Sequence, residues 1–346
     1  MALAVLGWVA ARWIGSRTMY LLVYGGLLAM GVSWFVARRK LSLTVDRSAL
    51  PTRMREGQVS EVMLRVVASK RVSTVMIHDT LPDALGRTVR LPVAALAAGE
   101  EVEHRYLFSP TRRGVYEVGP AIATWSDPFG LTTQEQQLAG PETVIVHPST
   151  ELVHDRILAR MWEDPPMRPP VSKPWPTGFE FYGMRDYVPG DDPRRIVWTA
   201  AARTGKYLVR ESEQGITDRV TLLLDNDRRS HSPGFPSETF ELAVRAVASL
   251  GAYNIKQGYS VRLVTNDALQ SPELRGGKAR IALLDELARL QLTDEGVERA
   301  VERIITERRG DTHMCLVSTR FDSRTAARIR LLTDKGMSLV VALVQW

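Results

Sequence analysis

Residues Met19–Val36, "MYLLVYGGLLAMGVSWFV", pass without a single charge. As a helix, about 18 residues span roughly 27 Å, close to the hydrocarbon thickness of a bilayer, so the run predicts a transmembrane helix. Tyr20, Tyr24 and Trp34 near its ends suit the two interfaces, and Arg38, Arg39 and Lys40 follow at once, which favours a cytoplasmic basic end. A signal peptide is the competing interpretation, but the run is long for one and "VARRK" offers no small-residue cleavage site. The earlier segment Ala2–Ile14 is apolar too; at about 13 residues, near 20 Å, and interrupted by Arg12, it reads as a second span or an interfacial helix. Residues 1–40 are therefore expected to be a membrane anchor.

Beyond the anchor the hydrophobic period changes. From 42 to 148, short β-branched runs such as "QVSEVMLRVVAS", "TVMIHDTL" and "ETVIVHPS" alternate with Gly, Pro and Asp turns, which predicts a small β-sandwich. Residues 149–217 hold a Pro-rich passage, "EDPPMRPPVSKPWPTG", which cannot be helix or central strand and reads as an extended connector. From 218 to 346, apolar runs alternate with amphipathic helices. "RVTLLLD", "SVRLVTND", "HMCLVST" and "MSLVVALV" are the strands, and the helices include one carrying Phe240, Val244, Val247 and Ile255 on one side. Such alternation predicts a parallel sheet covered on both faces, a Rossmann-like α/β domain.

The composition removes several classes of chemistry. One cysteine, Cys315, excludes a disulfide framework and any multi-cysteine zinc site, and its place in "HMCLVS" points to a buried, inert thiol. The six histidines are scattered without HExxH or HxH spacing. There is no P-loop, no GxGxxG after the first strand and no GxSxG elbow. A net charge of +6 would suit nucleic acid or anionic lipid, but arginines and carboxylates are interspersed along the chain and no nucleic-acid partner is expected.

Ligands of parallel α/β sheets bind beyond the carboxyl ends of the strands. Those ends carry Asp225-Asn226-Asp227, Thr265-Asn266-Asp267 and Ser318-Thr319, with Asp322 just after, and three such clusters are expected to face one crevice. Hard oxygen ligands of this kind suit magnesium or calcium, whereas acids at strand ends also serve as helix caps and solvated turns.

The stretch "GFEFYGMRDYVPGDDPRRIVWTAAARTGKYLVRE", Gly178–Glu211, gives a complete local address for a short helix over roughly 193–203. Asp191 or Asp192 is the N-cap, Pro193 the first helical residue and Gly205 the terminator. Arg194, Trp198, Ala201 and Ala202 would share one face and Ile196, Ala200 and Arg203 another, so Trp198 is expected to pack against a neighbouring element. "KYLVRESEQ" reads as a strand. Arg185, Asp186, Asp191, Asp192, Arg194 and Arg203 suit a charge-assisted network, structural or partner-binding rather than catalytic, because no nucleophile with an adjacent base is visible.

This stretch resembles the defining motif of the bacterial family catalogued as domain of unknown function 58. Gly178, Glu180-Phe181, Arg185-Asp186-Tyr187, Gly190-Asp191-Asp192, Arg194 or Arg195, Ile196, Trp198 and Ala202-Arg203 match the motif, with Asp186 in place of the more usual Glu. "RRGVYEVGP", "DPFGL", "VIVHP" and the membrane helix extend the resemblance over nearly the whole chain. The resemblance implies a β-sandwich anchored in the bacterial cytoplasmic membrane and followed by a von Willebrand factor A-like domain. It also implies a MoxR-type AAA+ ATPase as partner, often beside a transglutaminase-like membrane protein, and no known enzymatic activity.

Von Willebrand A domains hold a divalent ion with Asp-x-Ser-x-Ser after the first strand. Here the slot reads Asp225-Asn226-Asp227-Arg228-Arg229, so Arg229 puts a cation where a hydroxyl ligand belongs. No cofactor is therefore expected; magnesium at Asp225 and Asp227, with Asp267 and Asp322 as further candidates, would be a degenerate site. The expected function is a non-enzymatic membrane adaptor presenting its A-like domain to the ATPase or its clients. The alternatives are a metal-dependent hydrolase using the strand-end acids, and an anionic-lipid or nucleic-acid binder driven by charge.

Overall fold

The computed structural model describes residues 7–9, 12, 13, 15, 17–37, 40–127, 129–153, 180–189, 191–213, 219–267, 269–307, 313–334 and 337–344. Most of the apolar segment Ala2–Ile14, the Pro-rich passage, and Gly178 and Gly190 of the motif lie outside the described residues. The chain divides into two compact units, Met1–Ser149 and Thr150–Trp346.

The first unit opens with helix α1, Arg17–Ala37. Of the described helices it alone is long and apolar enough to cross a membrane, over Arg17–Val36. It leaves Leu21, Leu22, Leu28, Trp34 and Phe35 exposed, the reverse of a core helix. Gly25, Gly26 and Gly31 would each cost about 1 kcal/mol in a water-exposed helix, whereas membrane helices carry glycine freely.

Ten strands follow: β1 Leu43–Ser48, β2 Arg53–Arg55, β3 Ser60–Ala68, β4 Val75–Asp79, β5 Val89–Val93, β6 Glu101–Phe108, β7 Gly114–Val118, β8 Ala121–Ser126, β9 Thr133–Ala139 and β10 Glu142–His147. They pair in the orders β1-β3-β6, β5-β4-β8-β9 and β2-β10-β7, a sandwich-like arrangement. On β3, Val62, Leu64, Val66 and Ala68 are buried while Glu61 and Arg65 face water, the period-2 pattern of a half-buried strand. Val66 and Ala68 join Ile77, Val93 and Ala123 from the β5-β4-β8-β9 sheet in one core. A buried ion pair spans the same two sheets: Arg47 Nη2 of β1 donates to Asp79 Oδ1 of β4 at 2.6 Å. Tyr106 on β6 adds its hydroxyl to Asp79 Oδ2 at 2.7 Å. Burial, then the adjacent carboxylate charge, pushes that phenol well up, so it remains a donor.

The second unit contains a hairpin of β11, Glu180–Asp186, and β12, Leu208–Glu213, with the short helix α2, Trp198–Thr204, between them. A parallel sheet follows, built from β13 Arg219–Leu224, β14 Ser260–Thr265, β15 His313–Ser318 and β16 Ser338–Leu343 in the order β14-β13-β15-β16. Helices α3 Glu238–Lys256, α4 Ala279–Arg289, α5 Val297–Glu307 and α6 Ser323–Thr333 connect the strands. Because side chains alternate along a strand, Leu222 and Leu224 pack with Phe240, Val244, Leu283 and Leu287 of α3 and α4. Leu223 joins Val301, Ile304 and Ile329 of α5 and α6 on the other face. A Cβ on Gly251 of α3 would come within 2.2 Å of Leu283 Cδ2, so this glycine sets how closely α3 and α4 approach.

Candidate functional site

In the order β14-β13-β15-β16 the chain leaves β13 in one direction to form β14 and returns past it to form β15. The topological switch point therefore lies between β13 and β15, beyond their carboxyl ends. Asp225, immediately after β13, occupies that junction and is almost fully buried. Its Oδ2 accepts from Ser318 Oγ of β15 at 2.6 Å, and its Oδ1 accepts from Asn266 Nδ2, just past β14, at 2.7 Å and from Asp227 N at 3.1 Å. One carboxylate thus ties three strand ends together. His231 lies beneath it, with Nε2 at 2.7 Å from the Asp225 backbone oxygen and Nδ1 at 3.3 Å from Thr239 Oγ1, so its ring addresses the main chain and not the carboxylate.

Asp227 has a partner of its own. Arg229 Nε and Nη2 donate to its two oxygens at 3.1 and 3.0 Å, and Arg229 N donates to Oδ1 at 3.0 Å. Hydrogen bonding and charge from Asp227 raise the guanidinium above its ordinary value. Asp322 is the N-cap of α6, its Oδ1 accepting from Thr325 N at 2.8 Å. Asp225, Asp227, Arg229, Glu298, Arg320 and Asp322 line a cleft of about 270 Å³.

The expected crevice is only partly formed: Thr265, Asn266, Ser318 and Thr319 do not line this cleft. Asp267 is not among the cleft's lining residues; the Thr265 hydroxyl captures its Oδ1 at the end of β14. Nor do the residues present fit a divalent cation. Among the described residues no three of His, Cys, Asp and Glu come together as a metal cluster. Asp225 already accepts three bonds and both oxygens of Asp227 face Arg229. Asn266 Oδ1 is a buried acceptor without a partner, but a neutral amide oxygen does not replace the carboxylate through which magnesium is usually held.

The motif segment folds apart from the cleft, and none of its described residues lines it. Arg185 Nη1 and Nη2 grip Asp191 Oδ2 and Oδ1, both at 2.6 Å, and Asp191 Oδ2 also accepts from Val188 N at 2.9 Å. Arg185 Nη1 reaches the backbone oxygen of Asp186 as well, at 3.0 Å. Asp192 Oδ1 accepts from Arg194 N at 3.0 Å, ahead of Pro193, and Gly205 closes α2 in the left-handed conformation at φ 70°. Arg194 and Arg203 are exposed, and Tyr187 is half-buried.

The single helix expected over 193–203 is instead two pieces. Pro193–Arg195 is a 3-10 turn, Ile196 is extended and bridges Val209, and only Trp198–Thr204 is α-helical. Trp198 is correspondingly 62% exposed rather than packed in a core. Its ring meets Tyr207 edge-on at 6.1 Å, and Tyr207 meets Tyr187 at 6.5 Å. Glu180 and Phe181 begin β11.

Sequence reasoning missed Glu298 and Arg320 as cleft residues. Glu298 is the acid in the first turn of α5, and Arg320 directly follows the Ser318-Thr319 pair. Cys315 is buried, which pushes its thiol up to about 12 and leaves it inert.

A parallel sheet covered by helices on both faces, with a tethered acid at its switch point, defines a doubly wound α/β protein. Residues 183–345, just under half of the chain, match the family described as "Protein of unknown function DUF58". The chain matches no curated protein. Among solved structures it is similar, at 18% identity, to the CARDB domain of a Pyrococcus furiosus protein in complex with di-metal ions, over 31% of this chain and 93% of that one, with a TM-score of 0.23. A Listeria innocua beta-glucosidase in complex with gluconolactone is similar at 15% identity over 31% of this chain and 16% of that one, with a TM-score of 0.20. Likeness at such TM-scores carries no argument about fold or function.

Proposed function

We propose that the chain is a membrane-anchored, non-enzymatic scaffold. Its α/β domain, of von Willebrand factor A type, binds a MoxR-type AAA+ ATPase or that ATPase's clients at the carboxyl-end face of the sheet. The observation that carries this reading is the Arg229–Asp227 pair. The chain supplies its own cation where a metal-dependent domain would recruit an ion, and the guanidinium side chain is 70% exposed beside the cleft. Arg228 and Arg320 are exposed on the loops flanking the same strand ends, with Phe235 at 93% exposure and Phe321 at 42% on those loops. Arginine and large aromatic residues dominate the energetics of protein interfaces, and three arginines select a partner segment bearing carboxylates. Ser318 is bonded to Asp225 directly and His231 to the Asp225 backbone oxygen, so these three do not form a Ser-His-Asp relay. Helix α1 anchors the domain in the bacterial cytoplasmic membrane, with its basic end cytoplasmic.

The test is direct binding between the full chain in nanodiscs and a purified MoxR-type ATPase. Saturable binding weakened by Arg229→Glu and by Phe235→Ala is the expected result. No binding by the unaltered chain, or binding indifferent to both changes, refutes the reading.

A further inference from the structure

The loop between β8 and β9 is built around one carboxylate. Asp127 Oδ1 accepts from Thr132 N at 2.7 Å and from Thr132 Oγ1 at 3.2 Å, and Oδ2 accepts from Phe129 N at 3.0 Å. The remaining donor comes from α1, where Ser33 Oγ reaches Asp127 Oδ2 at 2.5 Å. Both residues are almost fully buried, although most of α1 is exposed or half-buried. Ser33 stands three residues before Val36, the last residue of the apolar span, a rise of about 4.5 Å. The turn that carries it also exposes Trp34 and Phe35, the residue types that collect at a bilayer's interface. With its polar groups folded inward on Asp127, the loop turns two large apolar side chains outward, Phe129 at 56% exposure and Leu131 at 57%.

We infer that the Asp127–Thr132 loop is a second membrane contact, inserting Phe129 and Leu131 at the headgroup and acyl boundary of the bilayer that α1 crosses. This rests on the reading of α1 as a membrane span. The chemistry fits lipid: apolar tips without charge, held within one helical turn of the end of the span. The Asp127–Ser33 bond fixes the depth, so the loop meets the interface wherever α1 is inserted.

The test uses the full chain in nanodiscs of phosphatidylethanolamine and phosphatidylglycerol. Because Cys315 is buried, each engineered cysteine is the one thiol open to an environment-sensitive fluorophore. Labels at Phe129→Cys and Leu131→Cys are expected to emit blue-shifted and to be quenched by lipids bearing nitroxide near the headgroup. Their quenching by aqueous iodide should be several-fold lower than at Phe235→Cys. Leu28→Cys on α1 reports the anchor itself through nitroxide placed deep in the acyl chains. A lipid-quenched Leu28 position with iodide-accessible 129 and 131 positions overturns the loop contact alone. An unquenched Leu28 position overturns the anchor and the loop contact with it.

Discussion

Ser318 Oγ donates to Asp225 Oδ2 at 2.6 Å, joining the ends of β15 and β13 across the point where the sheet changes direction. Ser318→Ala removes a donor from a buried carboxylate, and such a loss costs about 1–3 kcal/mol. Denaturant midpoints of the two proteins at neutral pH check this; an unchanged midpoint would mean that Asn266 and the backbone suffice.

Magnesium at millimolar concentration should leave the melting temperature of the unaltered chain where it is, because Arg229 occupies both oxygens of Asp227. Arg229→Ser restores a hydroxyl and frees the carboxylate. If that variant binds the ion, saturation at 100 times the dissociation constant adds about 2.7 kcal/mol, and Asp225→Ala abolishes the gain. A clear shift in the unaltered chain contradicts the account of Arg229 as resident cation.

Gly251→Ala should destabilise the second unit by about 1–3 kcal/mol, since the new methyl overpacks the α3–α4 contact. The neighbours are Leu283 Cδ2 at 2.2 Å and Leu222 Cδ1 at 3.1 Å, both fully buried in the same core. Thermal unfolding followed by circular dichroism measures the cost. Gly258→Ala is a poor control because its φ of 91° adds strain, whereas Gly277 has nothing within 4 Å and a φ outside the strained range.

Burial alone would raise the Asp127 carboxyl, but hydrogen bonds from Ser33, Thr132 and Phe129 outweigh it and bring it from 3.8 down to about 2. A depressed folded value means that Asp127 contributes fully above about 3.8 and that its contribution disappears as pH falls from there through about 2. Asp127→Asn should therefore lower the melting temperature of the detergent-solubilised chain at pH 7 and change it far less near pH 2. Equal effects at both pH values would exclude ionic hydrogen bonding as the cause.

Trp198→Ala should cost well under the 3–5 kcal/mol typical of a buried tryptophan, because the ring lies on the surface against Tyr207. Arg185→Ala breaks a pair that is partly solvated, and such pairs are worth about 0–1 kcal/mol. Melting curves near that of the unaltered chain are the expected result for both variants. A large loss of stability in Trp198→Ala would return this residue to a structural role.

Much of this architecture can be read from residues alone. The uncharged run before Arg38 announces α1, and continuous apolar strands between amphipathic helices announce the parallel sheet. Gly205 marks the end of the motif helix correctly because caps are local chemistry, whereas Asp192 and Pro193 start only the 3-10 turn ahead of it. Its middle is not local: Ile196 gives up helical geometry to bridge Val209 on β12, a partner that lies outside any helix-sized window. The break also voids the face assignment that had placed Trp198 inward. At the cleft, the i, i+2 spacing of Asp227 and Arg229 is legible as a cation at a ligand position. The capture of Asp267 by Thr265 depends on side-chain rotamers that spacing does not encode, and Glu298 reaches the cleft from a helix four elements after the first strand of the sheet.

Helix α1 ends at Ala37 and β1 begins at Leu43, so residues 38–42 are the whole connection between them. Stretched fully, a link of that length reaches about 20 Å. With α1 in a bilayer, the sandwich is on a short leash and moves with the lipid, in two dimensions. Copies per unit area of membrane, and not moles per litre, then set how often neighbouring anchored proteins meet. Affinities measured on a soluble truncation would leave out that effect of the anchor.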